Sequence, residues 1–259
     1  MKKRICLLII LFSSVLSAHA QNWGGGIDDN DLHFGFTFQY LSSDYKIIKN
    51  ENWRNTFNSF VPEAPPRPDD PPYSGRSPSL DAIYSKSNPG YGIGFVVNYK
   101  LAEHSDLRFT PTLVFSDRLL YYQFSNKAVS GFQDNLKEQK VQSTMIDFPL
   151  GYKLKSDRRG NFRAYLLGGA KYSMDITSSK KSDNTGLAPL EKFVKNKKNF
   201  LSYEAGIGFD LYFEYFKMSP EIKVSNSIGN ILKQEDNQPY AKSIDKLMLR
   251  HVTFSLFFE

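Results

Sequence analysis

The chain has 259 residues, 41% hydrophobic and 15% aromatic, with one cysteine and a formal charge of +6. Its mean hydropathy is −0.43, and after the first 20 residues no apolar run approaches the roughly 20 residues that a spanning helix needs. A helical membrane protein is thereby excluded, which leaves a soluble protein or a β-barrel.

Residues 1–20 have the pattern of a secretory leader. Lys2, Lys3 and Arg4 form a basic start, residues 5–16 are predominantly apolar, and Ala18 and Ala20 supply the small residues that a signal peptidase reads. Cleavage is expected between Ala20 and Gln21. The only cysteine, Cys6, lies inside the leader and far from that point, which argues against a lipoprotein and leaves a mature chain without a thiol. Losing Lys2, Lys3 and Arg4 leaves 30 basic against 27 acidic residues, a charge of +3. The basic character is thus partly a property of the leader and gives no case for nucleic acid.

Residues 21–259 then read as one domain of alternating segments. Because side chains alternate across a sheet, Phe34, Phe36, Phe38 and Tyr40 share one face and Gly35, Thr37 and Gln39 the other. The second segment sets Tyr91, Ile93, Phe95, Val97 and Tyr99 against Gly92, Gly94, Val96 and Asn98. The third sets Leu107, Phe109, Leu113 and Phe115 against Arg108, Thr110 and Thr112, with Pro111 falling in the apolar set. Proline donates no ladder hydrogen bond and so weakens that assignment.

In the fourth, Ile146, Phe148, Leu150, Tyr152 and Leu154 oppose Asp147, Pro149, Gly151 and Lys153, and Gly160 marks the turn that follows. Phe162, Ala164, Leu166, Ala170 and Tyr172 then alternate with Arg163, Tyr165 and Lys171. The sixth segment runs from Leu201 through Tyr203, Ile207 and Phe209, with Ser202, Glu204 and Asp210 opposite. The seventh places Met218, Ile222 and Val224 against Lys217, Ser219, Glu221 and Lys223. The eighth, residues 250–259, carries Val252, Phe254, Leu256 and Phe258 on one face.

Alternation alone fits a soluble barrel with an apolar interior as well as a membrane barrel with the opposite arrangement. The apolar face is heavily aromatic, the polar face mixes glycine with both charge signs, and connections alternate short with long. All three favour a transmembrane eight-stranded antiparallel up-and-down β-barrel. In hydrocarbon an open sheet edge would leave backbone groups unsatisfied at several kcal/mol each, so the first strand must pair with the last. The short turns and both termini are expected in the periplasm. The long connections 41–89, 125–139, 177–199 and 226–246 are expected outside, the first of them rich in proline.

Arg108, Asp147, Lys153, Arg163, Lys171, Glu204, Asp210, Lys217, Glu221 and Lys223 fall on the inward face. An ion or proton path is one reading; a mutually neutralising plug of paired charges is the preferred one. His33, His104 and His251 are too scattered to form a lipid-hydrolysing site with a serine at the outer rim or a histidine metal site, so no catalytic, metal or cofactor residues are assigned. Pro62, Pro65, Pro66, Pro68, Pro71, Pro72 and Pro78 make the first long connection a stiff exposed loop or a polyproline ligand. Lys180, Lys181, Lys192, Lys195, Lys197 and Lys198 form a basic run in the third, either solvated or facing lipid phosphates.

A mature end expected to start at Gln21 and the first aromatic strand, Phe34 to Tyr40, are followed by the motifs Ile146-Asp147-Phe148-Pro149-Leu150-Gly151-Tyr152-Lys153, Tyr165-Leu166-Leu167-Gly168-Gly169, Tyr203-Glu204-Ala205-Gly206-Ile207-Gly208, Ser219-Pro220-Glu221 and Phe254-Ser255-Leu256-Phe257-Phe258-Glu259. On these the chain resembles the PorT/SprT-like outer-membrane β-barrel family of Bacteroidetes. That resemblance implies a non-enzymatic part in type IX protein secretion, with outer-membrane lipid and other secretion-system proteins as partners. A structural or adhesive OmpX-like small barrel is the alternative, and a lipid-modifying outer-membrane enzyme the third reading.

Overall fold

The computed structural model describes residues 30–59, 79–125, 135–177, 184, 186–187, 191–235 and 238–259. The expected leader with its Ala20–Gln21 cleavage point, prolines 62–78, and Lys180 and Lys181 lie outside the described residues.

Eight antiparallel positions close into a ring. In chain order they are β1 (Leu32–Lys49), β3 (Asn88–Ala102), the pair β4 (Ser105–Phe109) and β5 (Thr112–Phe115), β8 (Thr144–Lys155), β9 (Phe162–Asp175), β11 (Asn199–Tyr212), β12 (Lys217–Ser227) and β14 (Ile244–Phe258). Each pairs with its sequence neighbour in that series, and β1 pairs with β14 from Phe36↔Phe258 upward. This closes the ring and leaves no ring edge unpaired, as a strand in hydrocarbon requires.

The third ring position is interrupted at Pro111 without a change of register. Val97 faces Phe109 below the break and Gly94 faces Thr112 above it, three residues on along each strand. The Phe95 amide still donates to the Pro111 carbonyl at 3.0 Å. Proline therefore removes one donor and splits the strand in two, but the sheet continues through it.

Outward positions carry the apolar residues. Phe34, Phe36, Phe38, Tyr91, Ile93, Phe95, Leu166, Ile207 and Phe254 are all exposed, an arrangement stable only against lipid. No described helix is long and apolar enough to cross a membrane; the strands do so instead.

The strands reach further outward than the alternation of exposed aromatics suggested, which corrects the expected loop 41–89. Residues 41–49 belong to β1 and residues 80–86 form β2 (Leu80–Lys86), separated from β3 only by Ser87. β6 (Arg118–Phe124) follows β5 after two residues, and β7 (Leu136–Val141) precedes β8 by two. Three adjacent ring strands thus continue as a second sheet in the order β2-β6-β7. The third and fourth connections likewise contain strand, in the small pair β10 (Lys195–Asn196) and β13 (Leu232–Lys233), and β12 and β14 extend beyond their expected ends to Ser227 and from Ile244.

The reason lies in a change of phase. Up to Tyr40 the apolar residues of β1 point out, whereas above it Leu41 and Tyr45 point in and are buried. On β14, Leu247 and Leu249 are buried above the level where Val252 and Phe254 are exposed. Where the surroundings change from lipid to water, the apolar face of the same strand turns inward.

These inverted segments build an apolar core outside the membrane span. It joins Leu41, Val114, Met145, Leu247 and Leu249 at the mouth of the ring to Ile83, Leu120, Tyr122 and Phe124 of the second sheet. A 3-10 helix, Trp53–Ser59, contributes Phe57, whose ring lies 5.1 Å from those of Phe124 and Tyr240. Tyr240 belongs to α1 (Pro239–Lys242), started by Pro239 and capped by the Gln238 side chain, which accepts from the Ala241 amide at 2.7 Å. The Tyr122 hydroxyl donates to the Tyr240 carbonyl at 3.0 Å. Burial pushes both phenols above the ordinary tyrosine range.

Candidate functional site

The lumen beneath that core is where the charges converge. All ten expected residues, Arg108, Asp147, Lys153, Arg163, Lys171, Glu204, Asp210, Lys217, Glu221 and Lys223, are buried. Alternation within each strand puts them inside, and the ring register decides which of them meet.

Near the short-turn rim, the Lys153 ammonium donates to both oxygens of Asp210 at 2.7 Å, and Ser219 adds a hydroxyl at 2.6 Å. Arg108 donates to Glu221 at 3.1 Å and to Glu259 at 3.3 Å, while Lys217 holds the second Glu259 oxygen at 2.7 Å. The Tyr165 hydroxyl donates to Glu221 at 3.0 Å, and the Arg108 guanidinium lies 4.5 Å from the Phe257 ring centre. Arg163 instead ties down the rim by donating to the carbonyls of Ser156 and Glu103.

Higher up, Lys223 pairs with Glu204 at 3.2 Å and Lys171 with Asp147 at 3.0 Å. Lys171 is also 3.4 Å from Nδ1 of His251. Beside them lies a gap of only about 10 Å³ lined by Gln39, Thr112, Lys171 and His251, the room of about one water molecule. Such an arrangement pairs most of these buried charges with one another, beneath the apolar mouth.

Asp106, Lys155, Glu259 and Arg118 are buried members that the sequence reading left out. Asp106 pairs with Lys155 at 2.5 Å, and Arg118 donates to the Met145 sulfur at 2.9 Å. All four obey the inward parity of their neighbours: Glu259 already lies in the eighth segment, and extending the third and fourth by a few residues reaches Asp106, Arg118 and Lys155.

Two of the histidines sit in different surroundings. His104 lies in an exposed turn 3.7 Å from Asp157. His251 has Ser43 and Ser225 at its register positions, but it is buried within the lumen, where Lys171 approaches its ring. Among the described residues no three acidic, histidine or cysteine side chains converge as metal ligands.

Several solved structures are similar to this chain. They include the outer membrane protein OprG from Pseudomonas aeruginosa, at 11% identity over 88% of this chain and 93% of that one, with a TM-score of 0.45. Neisserial surface protein A gives 8% identity over 88% and 98%, with a TM-score of 0.38. Ail of Yersinia pestis, solved in complex with the heparin analogue sucrose octasulfate, gives 11% over 88% and 99%, with a TM-score of 0.34. No curated protein matches the chain. A family model described as an outer membrane protein beta-barrel domain matches residues 20–233, ending one strand short of the β14 that closes the ring. With its inverted faces, closed ring and family match over most of its length, the chain belongs to the outer membrane protein β-barrel domain family.

Proposed function

We propose that this outer-membrane barrel is a non-enzymatic component of the type IX protein secretion route, acting on partner proteins through its outer cap or its short-turn rim. The observation that carries the reading is the double closure of the interior, by paired charges below and apolar side chains above. A lumen filled in this way passes neither folded cargo nor a chain, so the working surfaces are the ends. The assignment to secretion in particular draws on the resemblance of the motifs at 146–153, 165–169, 203–208 and 254–259 to PorT/SprT-like barrels.

Deleting the gene and measuring extracellular protein tests the proposal. Loss of secreted protein, restored by the intact gene, is expected; unchanged secretion with the other components present would sink it. The sheet β2-β6-β7, standing beyond the membrane span, favours a second reading as a structural or adhesive barrel. That reading predicts normal secretion with altered surface attachment or envelope integrity.

A further inference from the structure

A cavity of about 700 Å³ opens between the β7–β8 junction, the end of β9 and the β10–β13 pair. Five lysines line it, Lys140, Lys195, Lys197, Lys198 and Lys233, against the single carboxylate of Asp175. That carboxylate already accepts from the Ser143 hydroxyl at 2.9 Å and the Thr177 amide at 2.8 Å. Three of the lysines are partly neutralised, Lys140 by Asp117 at 2.8 Å and both Lys195 and Lys233 by Glu235 at 3.1 Å. Lys197 and Lys198 are exposed and have no ion-pair partner among the described residues.

The height of this cavity relative to the bilayer follows from β9. Its exposed apolar positions begin at Phe162 beside the short turn and include Leu166 and Tyr172. Ten residues at about 3.4 Å each, on a strand tilted by about 40°, rise roughly 26 Å, about the height of the apolar band of such barrels. The outer membrane boundary therefore falls near Tyr172. The Lys198 carbonyl accepts from the Asp175 amide at 2.7 Å, which puts the lysines just above that boundary. Val141, Phe193 and Val194 give the same cavity an apolar side, and Ile176 and Phe193 are exposed at its level. Cations and apolar surface side by side at headgroup height match an amphiphile whose polar end is an anion.

We propose that this cavity binds the phosphate-bearing headgroup of an outer-leaflet lipid, with Lys197 and Lys198 engaging the phosphate and Phe193 and Ile176 meeting the lipid's apolar part. Charge complementarity selects the phosphate, and the level in the membrane selects a lipid over a soluble anion. The site is independent of the secretion reading, since it requires only that this barrel lie in an outer membrane.

The full-length protein, incorporated in phosphatidylcholine vesicles, is titrated with phosphorylated lipid A and separately with the same lipid after enzymatic dephosphorylation. Retention of the lipid on the purified protein is the readout. The phosphorylated form should bind and the dephosphorylated form should not. The K197Q/K198Q double variant should weaken binding roughly twenty-five-fold, at about fivefold per lysine near a membrane surface. K246Q, a lysine on the exposed start of β14, should leave it unchanged. Equal binding of both lipid forms by the wild-type protein overturns the proposal even if the double variant fails to fold. Equal binding by wild type and a folded double variant overturns it as well. Competition by millimolar inorganic phosphate at lipid-like affinity would assign the site to a soluble anion instead and overturn the lipid assignment.

Discussion

Lys153 on β8 and Asp210 on β11 meet inside the barrel across the intervening β9, with the ammonium 2.7 Å from both carboxylate oxygens and neither side chain more than 1% exposed. Removing two charges from water costs several kcal/mol each, and their mutual attraction offsets this only while both are present. Asp210→Ala alone should therefore destabilise the barrel by about 3–5 kcal/mol, because Lys153 is left buried without its main partner. The double variant K153M/D210L should recover most of that loss. Urea unfolding of detergent-refolded protein, followed by heat-dependent electrophoretic mobility, separates the two outcomes; additive losses would show that the pair does not act as a unit.

The cap should be able to loosen without the barrel. Phe57 is fully buried between Phe124 and Tyr240, and Phe57→Ala removes about 3–5 kcal/mol of packing from this outer core. No ring strand supplies those two contacts. Amide exchange in β2 and β6 should rise while β8 and β9 stay protected. Uniform loss of protection over both regions would mean that cap and barrel unfold together.

Two glycines give opposite expectations. A Cβ on Gly94 would collide with the Pro111 carbonyl and with Thr112, at the point where proline already interrupts the ladder. A Cβ on Gly168 would meet nothing within 4 Å. Gly94→Val should cost about 1–3 kcal/mol through overpacking and reduce the folded fraction, whereas Gly168→Ala should fold like the wild type. Equal folded yields on a mobility gel would contradict this.

Acid should loosen the connection beside the lysine cavity. Partial burial raises the Glu235 carboxyl, but hydrogen bonds from Asn184, Lys233 and Lys195 outweigh it and hold the group below the ordinary carboxylate range. A lowered folded value means that the stabilisation is complete above the ordinary range near pH 4 and is lost as pH falls through the folded value. Asn184 also accepts from the Phe193 amide at 2.8 Å. Exchange of that amide should therefore accelerate, beyond its intrinsic pH dependence, as acid protonates Glu235. In Glu235→Gln the additional acid response should disappear.

Strand face is a local property with a period of two, which is why the sequence by itself determined the eight ring positions and the two faces, and the aromatic content of one face with the mixed charges of the other marked the ten charges as inward. The same parity also contains Asp106, Arg118, Lys155 and Glu259, whose side chains are buried. The outer extent of the strands was harder to read, because at Leu41 and Leu249 the apolar residues change face as lipid gives way to water. A pattern sought on one face appears to end there. Only the tertiary structure decided that Arg108 meets Glu221 and Glu259, that β3, β5 and β8 continue into one outer sheet, and that Phe57 closes over Tyr240. Those contacts depend on register and closure between segments up to 183 residues apart (Phe57 to Tyr240), and no local alternation encodes which inward charge lies opposite which.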